Sequence, residues 1–220
     1  MRRDALAVAA IAAVAVIALV IGAQVYRGNQ QQERQAAAAS APGVDPALLV
    51  RPDSPSKGPR DAPVTIVEFL DPECEACRAM YPLVERVLRK YEGRVRLVVR
   101  YVPLHANSAL AASALEAAGE QGRYWDMMEA LFLHQPEWGD HHQPRPERIP
   151  DYARDIGLDM EAFLPSFQGI KHRAKVDRDR ADAEALGVRR TPTSYVNGRR
   201  LERLGYEPLT AGVEAALAGR

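Results

Sequence analysis

The two cysteines constrain this chain most, because both lie in one four-residue motif, Cys74-Glu75-Ala76-Cys77. The apolar, β-branched segment Val64–Leu70 precedes the motif and predicts a buried strand, and apolar residues at helical spacing over residues 77–91 predict an amphipathic helix after it. A sulfur at such a junction lies beside unpaired N–H groups and the positive end of the helix dipole, which favour the thiolate. A second sulfur three residues on can close a disulfide with it. The motif therefore indicates thiol–disulfide exchange chemistry.

Charge and cysteine usage exclude several classes of protein. The chain has 29 basic and 29 acidic residues, whereas nucleic-acid-binding domains usually carry a basic excess. Two cysteines in one motif exclude a framework of several disulfides and a zinc site built from two C-x-x-C pairs. The length of 220 residues fits one domain with an appendage, stabilised by hydrophobic burial.

The N-terminus contains an uncharged apolar run, residues 5–26, directly after a short basic segment. As a helix rising about 1.5 Å per residue, this run crosses a hydrocarbon core of about 30 Å. A cleavable signal peptide is the alternative, but its apolar region is usually about 7–15 residues, and Val20-Ile21-Gly22-Ala23 is a poor cleavage site. We predict a cytoplasmic N-terminus (1–4), a single transmembrane anchor (5–26) and an extracytoplasmic remainder, towards which the positive-inside rule leans.

The remainder divides into a linker and a folded domain. Residues 27–60 are rich in Gln, Ala and Pro and predict a flexible linker that ends in an edge segment. Strands at 64–70 and 95–101 flank one helix, and this β-α-β order predicts parallel neighbours. Residues 105–187 predict a helical insert, with a proline-rich loop at 135–146. A hairpin follows at 193–204, with a type I′ turn at Asn197-Gly198. A closing helix is predicted at 208–218.

Three segments together resemble one known family. They read VTIVEFLDPECEACRAMYP, VRLVVRYVPLH and GVRRTPTSYVNGRRL, and the likeness extends over about residues 60–219. The chain thereby resembles DsbA-like thiol:disulfide oxidoreductases. This resemblance implies an α/β thioredoxin fold with an inserted helical subdomain, which we place at residues 61–220 and after one N-terminal transmembrane helix.

The resemblance also implies roles for the motif and for one proline. Cys74 becomes the exposed attacking thiol and Cys77 the shielded resolving thiol, although an inert buried pair or a two-ligand metal fragment stays an alternative. Pro192 becomes a cis-proline against the cysteines that leaves backbone groups free to pair with a substrate strand. Thr191 precedes it and can tune the thiolate through its hydroxyl. An ordinary turn before a strand is the alternative for this segment.

The Glu75-Ala76 dipeptide is expected to tune the redox potential. Strongly oxidising members of the family have Pro-His between the cysteines, whereas Glu75 carries a negative charge, and Asp71 and Glu73 add two more. Like charges disfavour a thiolate, so we expect them to raise the Cys74 pKa and to make the couple more reducing. Alternatively, these carboxylates point into solvent and matter little.

Glu68 lies six residues before Cys74, in the middle of an apolar strand. DsbA-like proteins have a buried acid at this offset, which implies a proton acceptor or donor for Cys77 through water. A buried, unpaired carboxyl group would have a raised pKa suited to proton transfer near neutral pH. A solvent-facing or arginine-paired carboxylate is the alternative.

The histidines give a weaker signal. His134, His141 and His142 lie near Asp140 in the proline-rich segment, and several such side chains can bind a metal. Their spacing fits no standard ligand set, so we predict no metal site and interpret them as solvated or capping residues. His105 precedes a helix and is interpreted as a cap or interface residue.

The functional hypothesis is an extracytoplasmic thiol–disulfide oxidoreductase of a bacterial-type cytoplasmic membrane that acts on protein cysteines. The redox-active disulfide Cys74–Cys77 would carry the electrons, so we expect no other cofactor, and an unidentified partner would recycle it. One rival is a copper-handling module that uses Cys74, Cys77 and Met80, since soft thiolates suit Cu(I). The other is an anchored, non-catalytic binding scaffold.

Overall fold

The computed structural model describes Gly22, Gln24 and residues 44–219. No helix within this described part is long and apolar enough to cross a membrane. Apart from Gly22 and Gln24, the predicted anchor at 5–26 lies outside the described residues. The same holds for residues 27–43 of the predicted linker, so both remain predictions.

Residues 44–219 contain five strands and nine α-helices, numbered here in chain order. The strands β1 to β5 are Ser56–Lys57, Val64–Leu70, Val95–Tyr101, Thr193–Val196 and Arg199–Arg200. The helices α1 to α9 are Pro46–Leu49, Glu75–Lys90, Ser108–Gly119, Tyr124–Leu133, Gln135–Trp138, Ile149–Asp155, Met160–Gln168, Arg173–Ala185 and Tyr206–Ala218. A 3₁₀-helix, Pro146–Arg148, precedes α6.

The strands form one sheet in the order β1-β3-β2-β4-β5. Strands β2 and β3 are parallel, with Val64 opposite Val95 and Leu70 opposite Tyr101, which confirms the prediction from the β-α-β order. Strand β4 is antiparallel to β2, and Phe69 pairs with Thr193. The carboxyl end of β2 therefore lies beside the start of β4, and this juxtaposition positions the site.

The hairpin differs from its prediction in length. Asn197 and Gly198 have φ values of 45° and 82°, and positive values at both central residues are what a type I′ turn requires. Strand β5 contains only Arg199 and Arg200, however, rather than residues 199–204. Leu201 still donates a backbone hydrogen bond to Ser194, after which the chain turns towards α9.

Alternate residues of β2 pack into two different hydrophobic clusters. Ile66 and Leu70 belong to the larger cluster, which also contains apolar residues of α2, α9 and the helical insert. Val67 and Phe69 belong to a smaller cluster with Leu49 and Tyr195. Burial on both faces explains why the strand reads as a nearly continuous apolar run.

Helices α3 to α8 form the insert between β3 and β4. The proline-rich segment contains α5 and the 3₁₀-helix, so the prediction of a plain loop there was wrong. Tertiary packing explains the difference. Trp138 is fully buried in the larger cluster, and its Nε1 donates to the Leu131 carbonyl at 2.7 Å. Burial of one large aromatic side chain stabilises a short turn that local propensity does not.

A buried ion cluster connects the insert to the sheet. The Arg100 side chain on β3 is fully buried and donates to Asp179 and Asp182 of α8. It also donates to the Leu49 carbonyl of α1 at 2.9 Å. A buried guanidinium group requires such compensation, and the cluster therefore holds α1 and α8 against the same strand.

Candidate active site

The carboxyl end of β2 and the first turn of α2 place the two sulfurs. Cys74 is the N-cap residue of α2 in an extended conformation, so the helix begins at Glu75 rather than at the predicted residue 77. Its carbonyl accepts the backbone N–H of Arg78 at 3.1 Å. The first N–H groups of a helix have no intrahelical partner, so the Cys74 sulfur at the N-cap lies beside unpaired donors.

Cys74 is the more acidic and the more accessible thiol. Both cysteines are free thiols, with 9% of Cys74 and 2% of Cys77 exposed. A hydrogen bond from Cys77 is the largest factor that lowers the Cys74 pKa, while burial opposes it; Thr191 and the helix N–H groups then bring the pKa to about 5. Cys74 was expected to be an exposed thiol, but the residue is buried, and its sulfur lies 3.5 Å from the Thr191 carbonyl.

Cys77 has the opposite character. Burial raises its pKa most, followed by the hydrogen bond to Cys74 and the charge of that sulfur. The N–H of Asp71 donates to the Cys77 sulfur at 3.4 Å and opposes the rise only in part. The pair thus consists of one thiol that ionises readily and one that stays protonated, which is the division that stepwise exchange requires.

The Cys74 pKa is lowered overall, first by the hydrogen bond from Cys77, and the acidic neighbours are not among its main causes. Asp71 and Glu73 are buried, and neighbouring donors occupy their carboxylates. Asp71 accepts the backbone N–H groups of Glu73 and Leu104 at 2.8 and 2.7 Å, and lies 2.8 Å from the His105 Nδ1. The Glu75 side chain is 67% exposed, which matches the solvated alternative.

Glu73 accepts its hydrogen bonds from the turn that precedes α3. The backbone N–H of Asn107 donates to it at 2.6 Å, and the side chain of that residue donates at 2.8 Å. The Ser108 hydroxyl group adds a third donor at 3.3 Å. The two acids therefore connect the active-site loop to the insert instead of facing the thiolate.

The loop before β4 closes the site from the other side. The peptide bond between Thr191 and Pro192 is cis, as the resemblance implied. Pro192 is buried, and the loop contacts the Cys74 sulfur through Thr191. The fold thus brings Cys74, Cys77, Thr191 and Pro192 together across 117 residues of sequence.

Glu68 lies in the middle of β2 between Val99 and Ser194 of the neighbouring strands. It is 4% exposed and makes no side-chain hydrogen bond or ion pair within residues 44–219. Burial raises its pKa to about 7, and its charge in turn contributes to the raised pKa of Cys77. The opposite Ser194 hydroxyl group is also buried without a partner among the described residues, so two polar groups lie opposite each other in the sheet without a hydrogen bond.

Sequence reasoning missed one residue that supports the site. Gln135 is 2% exposed, and its side-chain amide donates to the carbonyls of Pro72 at 2.8 Å and of Cys74 at 3.1 Å. It thereby braces the loop that carries Cys74 from the start of α5. The sequence contains no local signal for this contact, because it spans 61 residues.

The histidines assemble no metal centre in the described part of the chain. His134 stacks on Tyr152 with ring centroids 4.5 Å apart. His105 and His141 lie 5.7 Å apart near the cysteines, but no group of three or more suitable side chains is arranged to hold a metal within residues 44–219. Burial lowers the His105 pKa, but the hydrogen bond and charge of Asp71 outweigh it and raise the pKa overall.

Comparisons with known proteins agree with this geometry. A family model described as thioredoxin matches residues 51–215. A thioredoxin-like oxidoreductase from Silicibacter pomeroyi is 28% identical, with a TM-score of 0.68 over 79% of this chain and 98% of that protein. A thiol-disulfide exchange protein, alpha-DsbA2 from Wolbachia pipientis, is 24% identical, with a TM-score of 0.66 over 77% and 90% of the two chains, and so shares the fold.

The curated relatives have a different kind of name. A Na(+)/H(+) antiporter, NhaA 1 from Salinispora arenicola, is 36% identical over 181 residues, which are 80% of this chain and 27% of the antiporter. The chain thus spans about a quarter of the length of the curated relatives it matches. Because the thioredoxin model matches most of the chain, this chain belongs to the thioredoxin family, and its structural neighbours are DsbA-like thiol-disulfide oxidoreductases.

Proposed function

We propose that this protein is an extracytoplasmic thiol-disulfide oxidoreductase that exchanges disulfides with cysteines of other polypeptides. The observation that carries the proposal is the divided acidity of the motif, with a Cys74 pKa of about 5 beside a Cys77 whose pKa is raised. At neutral pH Cys74 is then largely a thiolate, while Cys77 retains its proton for a later step.

The exchange proceeds in two substitutions at sulfur. The Cys74 thiolate attacks a substrate disulfide, a bond forms between the two sulfurs, and the other substrate sulfur leaves as a thiolate. Cys77 then loses its proton and attacks Cys74, which closes the Cys74–Cys77 disulfide and releases the second substrate thiolate. Two electrons pass to the substrate, and the reverse sequence oxidises a substrate dithiol.

Glu68 is the proposed acceptor of the Cys77 proton. Its pKa of about 7 allows it to take up and release a proton near neutral pH, and its burial without a partner leaves the carboxylate available. Water between Glu68 and Cys77 would relay the proton. The backbone beside Pro192 would pair with the substrate strand.

We infer a location at a bacterial-type cytoplasmic membrane, with the N-terminal residues 5–26 as the anchor and the domain on the extracytoplasmic side. The apolar run and an oxidising compartment support this location. The named antiporters resemble this chain over about a quarter of their own length, which is also compatible with a function at a membrane. A partner that recycles the cysteine pair completes the cycle.

Two measurements on the full chain in nonionic detergent test the function. A Cys77→Ala variant is expected to accumulate mixed disulfides with cysteine-containing proteins, because Cys77 resolves them, whereas a Cys74→Ser variant is expected to form none. Equilibration with glutathione gives the potential. A pKa of about 5 lies between about 3.5 for DsbA and about 7 for thioredoxin, so we expect an intermediate potential. Equal trapping by both variants would contradict the proposal.

A further inference from the structure

One side of the active site continues into a groove of about 330 Å³ that is lined by arginines. We call it the arginine groove, and the residues that line it include Arg190, Thr191, Pro192, Arg200, Arg203 and Leu204. Thr191 is shared with the active site, where its carbonyl lies 3.5 Å from the Cys74 sulfur. A polypeptide joined to Cys74 therefore has the mouth of this groove beside it.

The groove carries a local excess of positive charge. Arg190, Arg200 and Arg203 are exposed, and none of them forms an ion pair with another residue in the range 44–219. Only Arg200 makes a side-chain hydrogen bond there, from Nη1 to the Gly187 carbonyl at 3.3 Å. Glu202 is the single acidic residue of the lining. Three arginines and one glutamate line the groove, although the whole chain has equal numbers of basic and acidic residues.

The chemistry of the lining points to carboxylates on a peptide. A guanidinium group binds a carboxylate in a planar, bidentate geometry, and uncompensated arginines favour an anionic ligand. Leu204 is 45% exposed and offers an apolar contact for a side chain. The lining contains no aromatic residue on which a base could stack, and its concave shape suits an extended chain better than a membrane surface.

We propose, on the basis of the exchange function above, that the arginine groove selects polypeptide substrates with acidic side chains close to the reacting cysteine. An extended chain advances about 3.3 Å per residue, so the relevant positions are within about four residues of that cysteine. The groove raises the rate of attack by holding the substrate while Cys74 reacts.

The test compares three peptides of equal length, each with one cysteine. They differ only in the residues next to that cysteine, which are Asp and Glu in the acidic peptide, Ser and Gly in the neutral peptide, and Lys in the basic peptide. Each cysteine is blocked as a mixed disulfide with thionitrobenzoate. The reduced full chain in nonionic detergent attacks the peptide sulfur, and thionitrobenzoate leaves as a coloured thiolate that reports the rate. Each rate is divided by the rate of the reaction with 2-hydroxyethyl disulfide, which is uncharged.

At low ionic strength we expect the acidic peptide to react about tenfold faster than the neutral one, and the basic peptide to react slowest. About 1 M salt shortens the screening length to about 3 Å and is expected to abolish the difference. The double variant Arg190→Glu/Arg203→Glu is expected to reverse the order. The control Arg60→Glu is expected to retain it, because Arg60 is exposed, unpaired within residues 44–219 and placed before the amino end of β2.

The peptide rates distinguish a failure of the exchange function from a failure of the groove proposal. If no peptide reacts faster than with Cys74→Ser, the exchange function itself is refuted. If all three peptides react equally with the unmodified chain, exchange stands and the groove proposal is overturned. Binding to phosphatidylglycerol vesicles tests a membrane role. If the double variant loses this binding while the unmodified chain reacts equally with all three peptides, the groove proposal is also overturned, since the arginines would then bind a membrane surface.

Discussion

Replacement of Cys77 by alanine should make Cys74 a weaker acid. The hydrogen bond from Cys77 is the largest factor that lowers the Cys74 pKa to about 5, ahead of Thr191 and the helix N–H groups. Alanine removes that donor and leaves the other contributions in place. The experiment therefore separates the contribution of the second sulfur from that of the helix terminus.

The size of the expected rise in the Cys74 pKa follows from the free energy of one hydrogen bond to a charged group. Such a bond contributes about 1.5–3 kcal/mol, and about 1.4 kcal/mol corresponds to one pH unit. We therefore expect the Cys74 pKa to rise by about one to two pH units. Cys77→Ser is the matched control, because serine retains a donor at the same position and should raise the pKa less than alanine does.

The assay is the pH dependence of Cys74 alkylation by iodoacetamide in the pre-reduced full chain, since only the thiolate reacts. Cys77 does not interfere, because its own pKa is raised and its side chain is 2% exposed. The unmodified chain should have its midpoint at about pH 5. The same midpoint for alanine and the unmodified chain would refute the assigned role of Cys77, and a midpoint near 9.0 in the unmodified chain would refute the low pKa itself.

Two further predictions concern stability and use urea unfolding in a Cys74→Ser/Cys77→Ser background. Burial raises the Glu68 pKa from 4.5 to about 7, so its contribution to stability is fully present below pH 4.5 and is lost as pH rises through about 7. Glu68→Gln should therefore stabilise the fold by about 3 kcal/mol at about pH 8 and change little at about pH 4; an equal effect at both pH values would contradict this reasoning. Arg100→Met leaves the buried Asp179 without its cation, while Asp182 keeps Arg51, and should cost about 3–5 kcal/mol. Arg178→Met removes only the exposed ion pair with Asp53 and should cost less than about 1 kcal/mol of stability. Comparable losses of stability in both variants would argue against a stabilising role of the buried cluster.

Much of the scaffold was predictable because it depends on local patterns. Strands β2 and β3 have the predicted bounds, because seven consecutive mostly apolar residues suit burial between two layers. The Asn197-Gly198 turn was predictable because both residues tolerate positive φ. Strand β5 and helix α5 were not, since their extent depends on what packs against them.

The electrostatics of the site were predictable only in part. Glu68 was expected to be buried, and the offset from Cys74 placed it on the correct strand. The effect of Asp71 and Glu73 on the Cys74 thiolate could not be predicted, because a sequence records that a charge is near but not the direction of its side chain. Their oxygen atoms accept hydrogen bonds from residues more than 30 positions away, at 104–108.

The family resemblance implied the proline that lies against the cysteines, while the order of residues alone was sufficient to predict the motif at a strand-to-helix junction and the parallel β-α-β unit. These depend on residue spacing and on conformational preferences of a few neighbouring residues. The folded structure was needed to show how far the Cys74 pKa is lowered, where the acidic side chains point and which arginines line the route to Cys74. Those properties depend on distances between groups far apart in the chain, because charge interactions and burial act through space rather than along the backbone.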